Sequence, residues 1–465
     1  MFSVHFLTTS NEIENYKYIK KFYSYLKDIF KEREGYGYYK YPVAGEDVKV
    51  IPDILLFDKY YGIVLIDIID YNLDEIENVN DEDWEVNGER IDTPLLKLED
   101  YEFNLYSKYN NHRTLRRKLK FVKKIVLPLI SKNRFEEKFP EEDTSFYIFN
   151  DYLSISVEDI FEEKQSLKED EAELFIAVSQ GAGSMNQYKK GYSGEKVDNI
   201  GKAINLIKHK IKSLDLEQHA AAIQIPDGPQ RIRGMAGTGK TIILTMKAAF
   251  LHARYPDKKI LYTFHTQALY NQIRDLITMF YREDKTTDPN WDNLLIRHSW
   301  GSKQKEGVYT RACARNSIVP IRYSYNLIDP LDHIFSNLIL HNLEEEYDFV
   351  LIDEAQDFPS SFYKAIYKLT KSPKRIIFAY DELQSLEHVE SRDLIDLFGT
   401  DVSGNPIVDF SDGTYGNDIE MDYVLDVSYR NPIDILMLAH GLGLGLKNPN
   451  KKMQIIEKPE IWETI

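Results

Sequence analysis

The stretch Gln230–Thr241, QRIRGMAGTGKT, constrains this chain more than any other. Gly234, Gly239, Lys240 and Thr241 fit the pattern G-x-x-x-x-G-K-[ST]. Glycines let backbone N–H groups turn inward on a polyphosphate, the lysine reaches the terminal phosphates, and the threonine hydroxyl ligates Mg²⁺. Gly237 and Thr238 complete the cradle, so ATP and Mg²⁺ are the expected cofactors. Arg231–Arg233 reads as the end of a strand, and the apolar run 242–251 as a helix whose N-terminus faces the phosphates.

Downstream, strands and helices alternate. Strands are expected at 259–264, 294–297, 349–352 and 375–379, with helices at 268–280 and 358–369. Such alternation gives a parallel sheet covered by helices, with ligands at the carboxyl ends of the strands. Asp353 and Glu354 directly follow the apolar strand FVLI. An acid there can hold Mg²⁺ beside a phosphate loop, and its neighbour can act as general base on the attacking water. A lone Asp-Glu pair would more often cap a helix; the upstream loop favours the catalytic assignment.

With GMAGTGKT and DEAQD in place, further segments match in order, and the chain from Gln218 onward resembles a superfamily 1 helicase of the UvrD-like kind. The resemblance implies an ATP-dependent helicase or translocase built on a RecA-like P-loop domain. It implies that Gln218 reads adenine, that Gln384 senses the γ-phosphate, and that Tyr429 and Arg430 stack on adenine and meet the γ-phosphate. It also implies single-strand contacts through Thr263, Phe264 and Thr266 after the second strand and through His298 after the next. Taken singly, Gln218 reads equally as a surface helix residue, Phe264 as core and Arg430 as a turn residue. Few residues follow Arg430. The family's second RecA-like domain is therefore expected to be largely missing from this chain, supplied by a fragment's continuation or a protein partner. Slow hydrolysis without unwinding is the corresponding expectation. A nucleotide-binding switch that gates a partner without translocation is the competing function; a small-molecule kinase has no use for DEAQD or the Tyr-Arg pair.

The first 178 residues read as an α+β module, 179–198 as a glycine-rich linker, 199–425 as the RecA-like domain and 426–465 as the start of a second one. In the first module a helix is expected at 16–31, strands at 48–56 and 62–69, an acidic surface segment at 74–83, helical periodicity over 99–130 and strand character at 144–154. A further helix is expected at 200–214. Glu46, Asp53 and Asp67 have the order of a PD-(D/E)xK nuclease core, which this module resembles, giving a restriction-endonuclease-like fold. The position of that core's lysine holds Ile69, with Lys49 or Lys59 as substitutes, so an inactive nuclease-like fold is expected. A structural α/β module with aspartates at strand ends is the alternative.

The formal charge is −17, so nucleic acid must be met by a local basic surface. The run 112–124, HRTLRRKLKFVKK, has no acid; Arg116, Arg117 and Lys120 are its candidate phosphate contacts, although a charge run is usually a solvated helix face. The partner expected is nucleic acid, DNA more than RNA. The single cysteine, Cys313, excludes an intrachain disulfide framework. No secretory leader or bilayer-spanning run is visible, so a cytoplasmic protein with no membrane partner is expected.

Overall fold

The computed structural model describes residues 4–41, 51–181 and 214–428, apart from 81, 111, 162–164, 166, 215, 266–268, 286, 302–304, 323–328, 382–392 and 426, together with 438. The helix expected at 200–214, apart from Leu214, and nearly all of the expected linker lie outside the described residues. The chain forms two compact units: residues 1–188 with 212–214 and 282–287, and the remainder. Among the described residues no helix is long and apolar enough to cross a membrane.

The first unit is α+β. Its strands are β1 (Val4–Thr8), β2 (Gly35–Tyr39), β3 (Ile54–Asp58), β4 (Gly62–Ile68), β5 (Ile76–Val79), β6 (Asp83–Val86), β7 (Glu89–Asp92), β8 (Phe121–Val126) and β9 (Tyr147–Ile148). Its helices are α1 (Lys17–Ile29), α2 (Pro94–Asn110), α3 (Lys132–Lys138), α4 (Val157–Ile160) and α5 (Glu169–Ser179). The main sheet has the order β1-β2-β3-β4-β8-β9. β2, β3 and β4 are antiparallel neighbours, whereas β4 and β8 run parallel because α2 lies between them in the chain. β3 reads as an unbroken apolar run because both its faces are covered. Ile54 and Leu56 pack with Phe22 and Leu26 of α1. Phe57 faces Tyr109 and Phe175 instead.

Several expectations shift here. The periodicity over 99–130 is helical only to Asn110; the basic run then turns, with Arg117 at φ 60°, and becomes β8. Pairing with β4 supplies a ladder that a surface helix would lack, and this outweighs local preference. The acidic segment 74–83 lies at the surface as expected and includes β5, which pairs with β6 in a meander that buries Trp84. The strand expected at 144–154 is only two residues long. Ser179 and Gln180 lie beyond the expected boundary at 178, yet both are buried in this unit, Gln180 donating to Tyr36 Oη at 2.7 Å.

The second unit contains α6 (Leu216–Ile223), β10 (Gln230–Gly234), α7 (Lys240–Arg254), β11 (Ile260–Phe264), α8 (Tyr270–Asp284, as far as Tyr281), β12 (Leu294–His298), α9 (Val308–Arg315), α10 (Pro330–Leu338), β13 (Tyr347–Ile352), α11 (Ser360–Leu369), β14 (Thr370–Tyr380), α12 (Leu394–Phe398) and β15 (Asp422–Leu425). Its six strands take the order β12-β11-β13-β14-β10-β15, and every neighbouring pair is parallel. The alternation read from the sequence therefore closes into one RecA-like sheet, with β14 between the loop strand β10 and the acid-bearing strand β13. One face is covered by an apolar cluster including Val350, Ile352, Phe358, Phe362 and Phe378, in which the free thiol of Cys313 is also buried. The edge is pinned electrostatically: Arg231 and Arg233 of β10 both contact the carboxylate of Asp422 on β15, at 2.7 and 2.8 Å.

Candidate nucleotide site

β10 ends at the phosphate loop, and the loop folds as its glycines allow. Gly237 and Gly239 have φ of 88° and 89°, a region that side chains resist. A Cβ on Gly234 would come within 2.5 Å of Thr238 Oγ1. Gly239 caps α7, so the helix N-terminus opens onto the loop. Lys240 Nζ donates to the carbonyls of Gly234 and Met235 at 2.6 and 3.0 Å and to Asp381 Oδ2 at 2.9 Å.

β13 delivers the acids. Thr241 Oγ1 donates to Asp353 Oδ1 at 3.3 Å, the Glu354 N–H to the same oxygen at 3.0 Å, and Tyr262 Oη to Oδ2 at 3.0 Å. Burial and the neighbouring Glu354 push the Asp353 carboxyl up to about 6, while the donors from Tyr262 and Thr241 pull it back. A buried carboxylate held beside the loop's threonine is a fitting donor set for a divalent cation. Gln356 Nε2 donates to Glu354 Oε2 at 2.7 Å, and its Oε1 accepts the Asp381 N–H at 3.1 Å. Glu354, Gln356, Asp381 and Lys240 thus form a chain of hydrogen bonds from the candidate base to the loop lysine. Gln356 lies within DEAQD and Asp381 directly follows β14; their bonds come from β14 ending beside β13.

Gln218 is buried against the loop, donating to the Thr238 carbonyl at 2.9 Å. It is not a surface helix residue. Gln384, Tyr429 and Arg430 lie outside the described residues. Ser428, next to Tyr429, is described and donates to the Ala236 carbonyl of the loop at 3.0 Å.

The expected strand-contacting residues are less exposed than their assignment requires. Thr263 and Phe264 are fully buried and His298 nearly so, with its imidazole pushed down to about 4 by burial and Lys305. Thr266 lies outside the described residues. What reaches the surface at these strand ends is the half-buried pair His265 and Trp300, whose rings meet edge to face at 5.9 Å.

In the first unit, Asp53 and Asp67 face each other one position beyond the last paired residues of β3 and β4, Ile54 and Ile66. The Asp53 N–H donates to Asp67 Oδ1 at 3.1 Å, and the Ile68 N–H to Asp53 Oδ2 at 3.0 Å. Burial and the neighbouring Asp67 raise Asp53 to about 7; burial raises Asp67 as well. Lys40 Nζ stands 3.8 Å from Asp53 Oδ1. Lys59 does not serve here, since it is paired with Glu34 at 2.6 Å. Glu46 and Lys49 lie outside the described residues. Among the described residues no group of three or more His, Cys, Asp or Glu is arranged to hold a metal.

The basic run is partly spent internally. Lys118 is paired with Glu171, Lys123 with Glu102, and Lys124 is buried and bonded to the Ser145 carbonyl. Arg116 and Arg117 remain exposed and Lys120 half-exposed.

Residues 202–379, less than half of the chain, match the family model described as type III restriction enzyme, res subunit. The chain finds no match among curated proteins. Among solved structures, the UvsW helicase from bacteriophage T4 is similar over 65% of this chain and 90% of its own, at 13% identity and a TM-score of 0.23, a likeness too loose to argue from. The parallel sheet with the phosphate loop at its carboxyl edge makes the second unit a RecA-like P-loop domain, and the segment matched by the family model lies largely within it.

Proposed function

We propose that this chain is a superfamily 1, UvrD-like motor module that hydrolyses ATP on nucleic acid, DNA more than RNA. The observation that carries the proposal is the convergence of Lys240 and Thr241, at the start of α7, with Asp353, directly after β13 and over a hundred residues further along the sequence, on one phosphate loop. When bound, ATP with Mg²⁺ supplies the electrophilic phosphorus and its charge neutralisation. Lys240 leaves its carbonyl and Asp381 partners to hold terminal phosphate oxygens. Thr241 and Asp353 would hold the cation. Glu354, oriented by Gln356, takes a proton from the attacking water. Gln218 borders the adenine side, and Ser428 tethers the segment leading to Tyr429 and Arg430, to which we assign adenine stacking and γ-phosphate contact; Gln384 is the proposed γ-phosphate sensor.

ATPase activity with and without single-stranded DNA tests this. Stimulation that vanishes in Lys240→Ala and Glu354→Gln is expected. Nucleotide binding with no stimulation by DNA or RNA would instead favour a switch that gates a partner.

For the first unit we propose a nuclease-like fold, supported by the order α1-β2-β3-β4, then, after the β5–β7 meander, α2-β8, and by the facing Asp53 and Asp67. Mn²⁺ titration of the intact protein, followed calorimetrically, tests it against Asp53→Asn. Equal heats from both proteins would reduce the unit to a structural module.

A further inference from the structure

Tyr262 is the middle residue of β11 and is fully buried. Its strand neighbours Ile260, Leu261 and Phe264 are apolar core, so a phenylalanine would satisfy the packing there. The phenol oxygen needs a partner, because burying an unpaired hydroxyl is costly. That partner is Asp353 Oδ2, at 3.0 Å. The other carboxylate oxygen takes both Thr241 Oγ1 and the Glu354 N–H. Two of the three donors therefore sit on Oδ1, and Tyr262 supplies the third, to Oδ2. Without it the two donors on Oδ1 remain, but among the described residues no other donor reaches Oδ2, and the carboxylate plane is less constrained about χ2.

We infer that Tyr262 is a positioning residue for Asp353: its hydroxyl fixes the carboxylate plane that Asp353 presents, with Thr241, to the divalent cation bound with nucleotide. The inference rests on assigning Asp353 to that cation. Tyr262 itself stays behind the carboxylate and touches neither phosphate nor cation. Its place on β11, adjacent to β13 in the sheet, lets it reach the acid from a different strand.

The test is binding of a fluorescent ATP analogue to the full chain, titrated with MgCl₂, for the wild type, Tyr262→Phe, Tyr262→Leu and Asp353→Asn. Tyr262→Phe should raise the Mg²⁺ concentration giving half-maximal enhancement by about tenfold, typical for loss of a group that orients a metal ligand. Its binding without Mg²⁺ should stay near wild type, and Tyr262→Leu should shift the Mg²⁺ midpoint at least as far. A purely structural tyrosine gives another pattern: Phe silent, Leu unstable, and that result overturns the inference. If Asp353→Asn also leaves the Mg²⁺ midpoint unmoved, the assignment of Asp353 fails, and the inference with it.

Discussion

Glu354 occupies the left-handed backbone region, φ 49° and ψ 48°, where a side chain is strained. Its surroundings impose the turn: its N–H is taken by Asp353 Oδ1, and the next residue's carbonyl accepts Tyr363 Oη at 2.6 Å. Strain at a candidate general base suggests that orientation outweighs stability there. Glu354→Gln is expected to lower kcat by about 10²–10⁴-fold while leaving nucleotide affinity intact, as steady-state kinetics and equilibrium binding can check. Glu354→Gly should abolish hydrolysis equally yet relieve up to about 1 kcal/mol of backbone strain, read as a raised urea midpoint. The motif announces the identity of Glu354, since an acid after FVLI beside a phosphate loop has few other uses. Its backbone conformation is invisible in DEAQD, because any of several residues can be forced left-handed by neighbours distant in the chain.

At the scale of elements, α7 shows how far periodicity carries. The apolar run 242–251 predicts a buried helix, and α7 is buried nearly all round. That burial encloses Lys247, which donates to the Gln224 carbonyl and is pushed down to about 7 by loss of water. The folded protein holds this proton less tightly than the unfolded chain does. Between pH 7 and the ordinary lysine range the unfolded state thus carries more protons, and stability rises with pH. The slope from this group is at most ~1.4 kcal/mol per pH unit. Urea melts of wild type and Lys247→Met should diverge accordingly as pH climbs from neutral; parallel curves would remove Lys247 from the account. β15 is the opposite case: a four-residue strand is hard to see in the sequence, and it holds its place through Asp422. Asp422→Ala strands two half-buried guanidinium groups and should cost about 2–3 kcal/mol, discounted for partial exposure, in denaturant unfolding of the second unit.

Across the whole molecule, the acidic balance leaves little basic surface. Within the run Lys118 and Lys123 are ion-paired and Lys124 is buried, whereas Arg113, Arg116 and Arg117 are exposed and Lys120 is half-exposed; Arg116, Arg117 and Lys120 are the proposed phosphate footprint. Reversing these three charges should weaken binding to single strands and flatten the plot of log K against log salt by roughly 0.7 for each phosphate no longer neutralised. An unchanged slope in fluorescence anisotropy would move the nucleic-acid path elsewhere. The first unit shows the limits of local reading. Its strand–turn–strand core was legible in outline, because apolar runs flank a polar turn: the strand expected at 62–69 is β4, whereas the one expected at 48–56 runs instead from Ile54 to Asp58. Its eighth strand was not, because FVKKIV has helical spacing and becomes a strand only by pairing with β4.

Two things follow from the sequence alone: a phosphate loop, which glycine geometry and a single lysine-threonine pair specify locally, and a parallel α/β sheet, which strand–helix alternation demands. The tertiary structure alone decides which groups meet. Strand order sets Tyr262 against Asp353, Asp381 against Lys240, and Asp53 against Asp67, because hydrogen-bonded register joins residues that no spacing along the chain connects. It also buries Thr263, Phe264 and His298, since exposure is a property of layers and not of motifs.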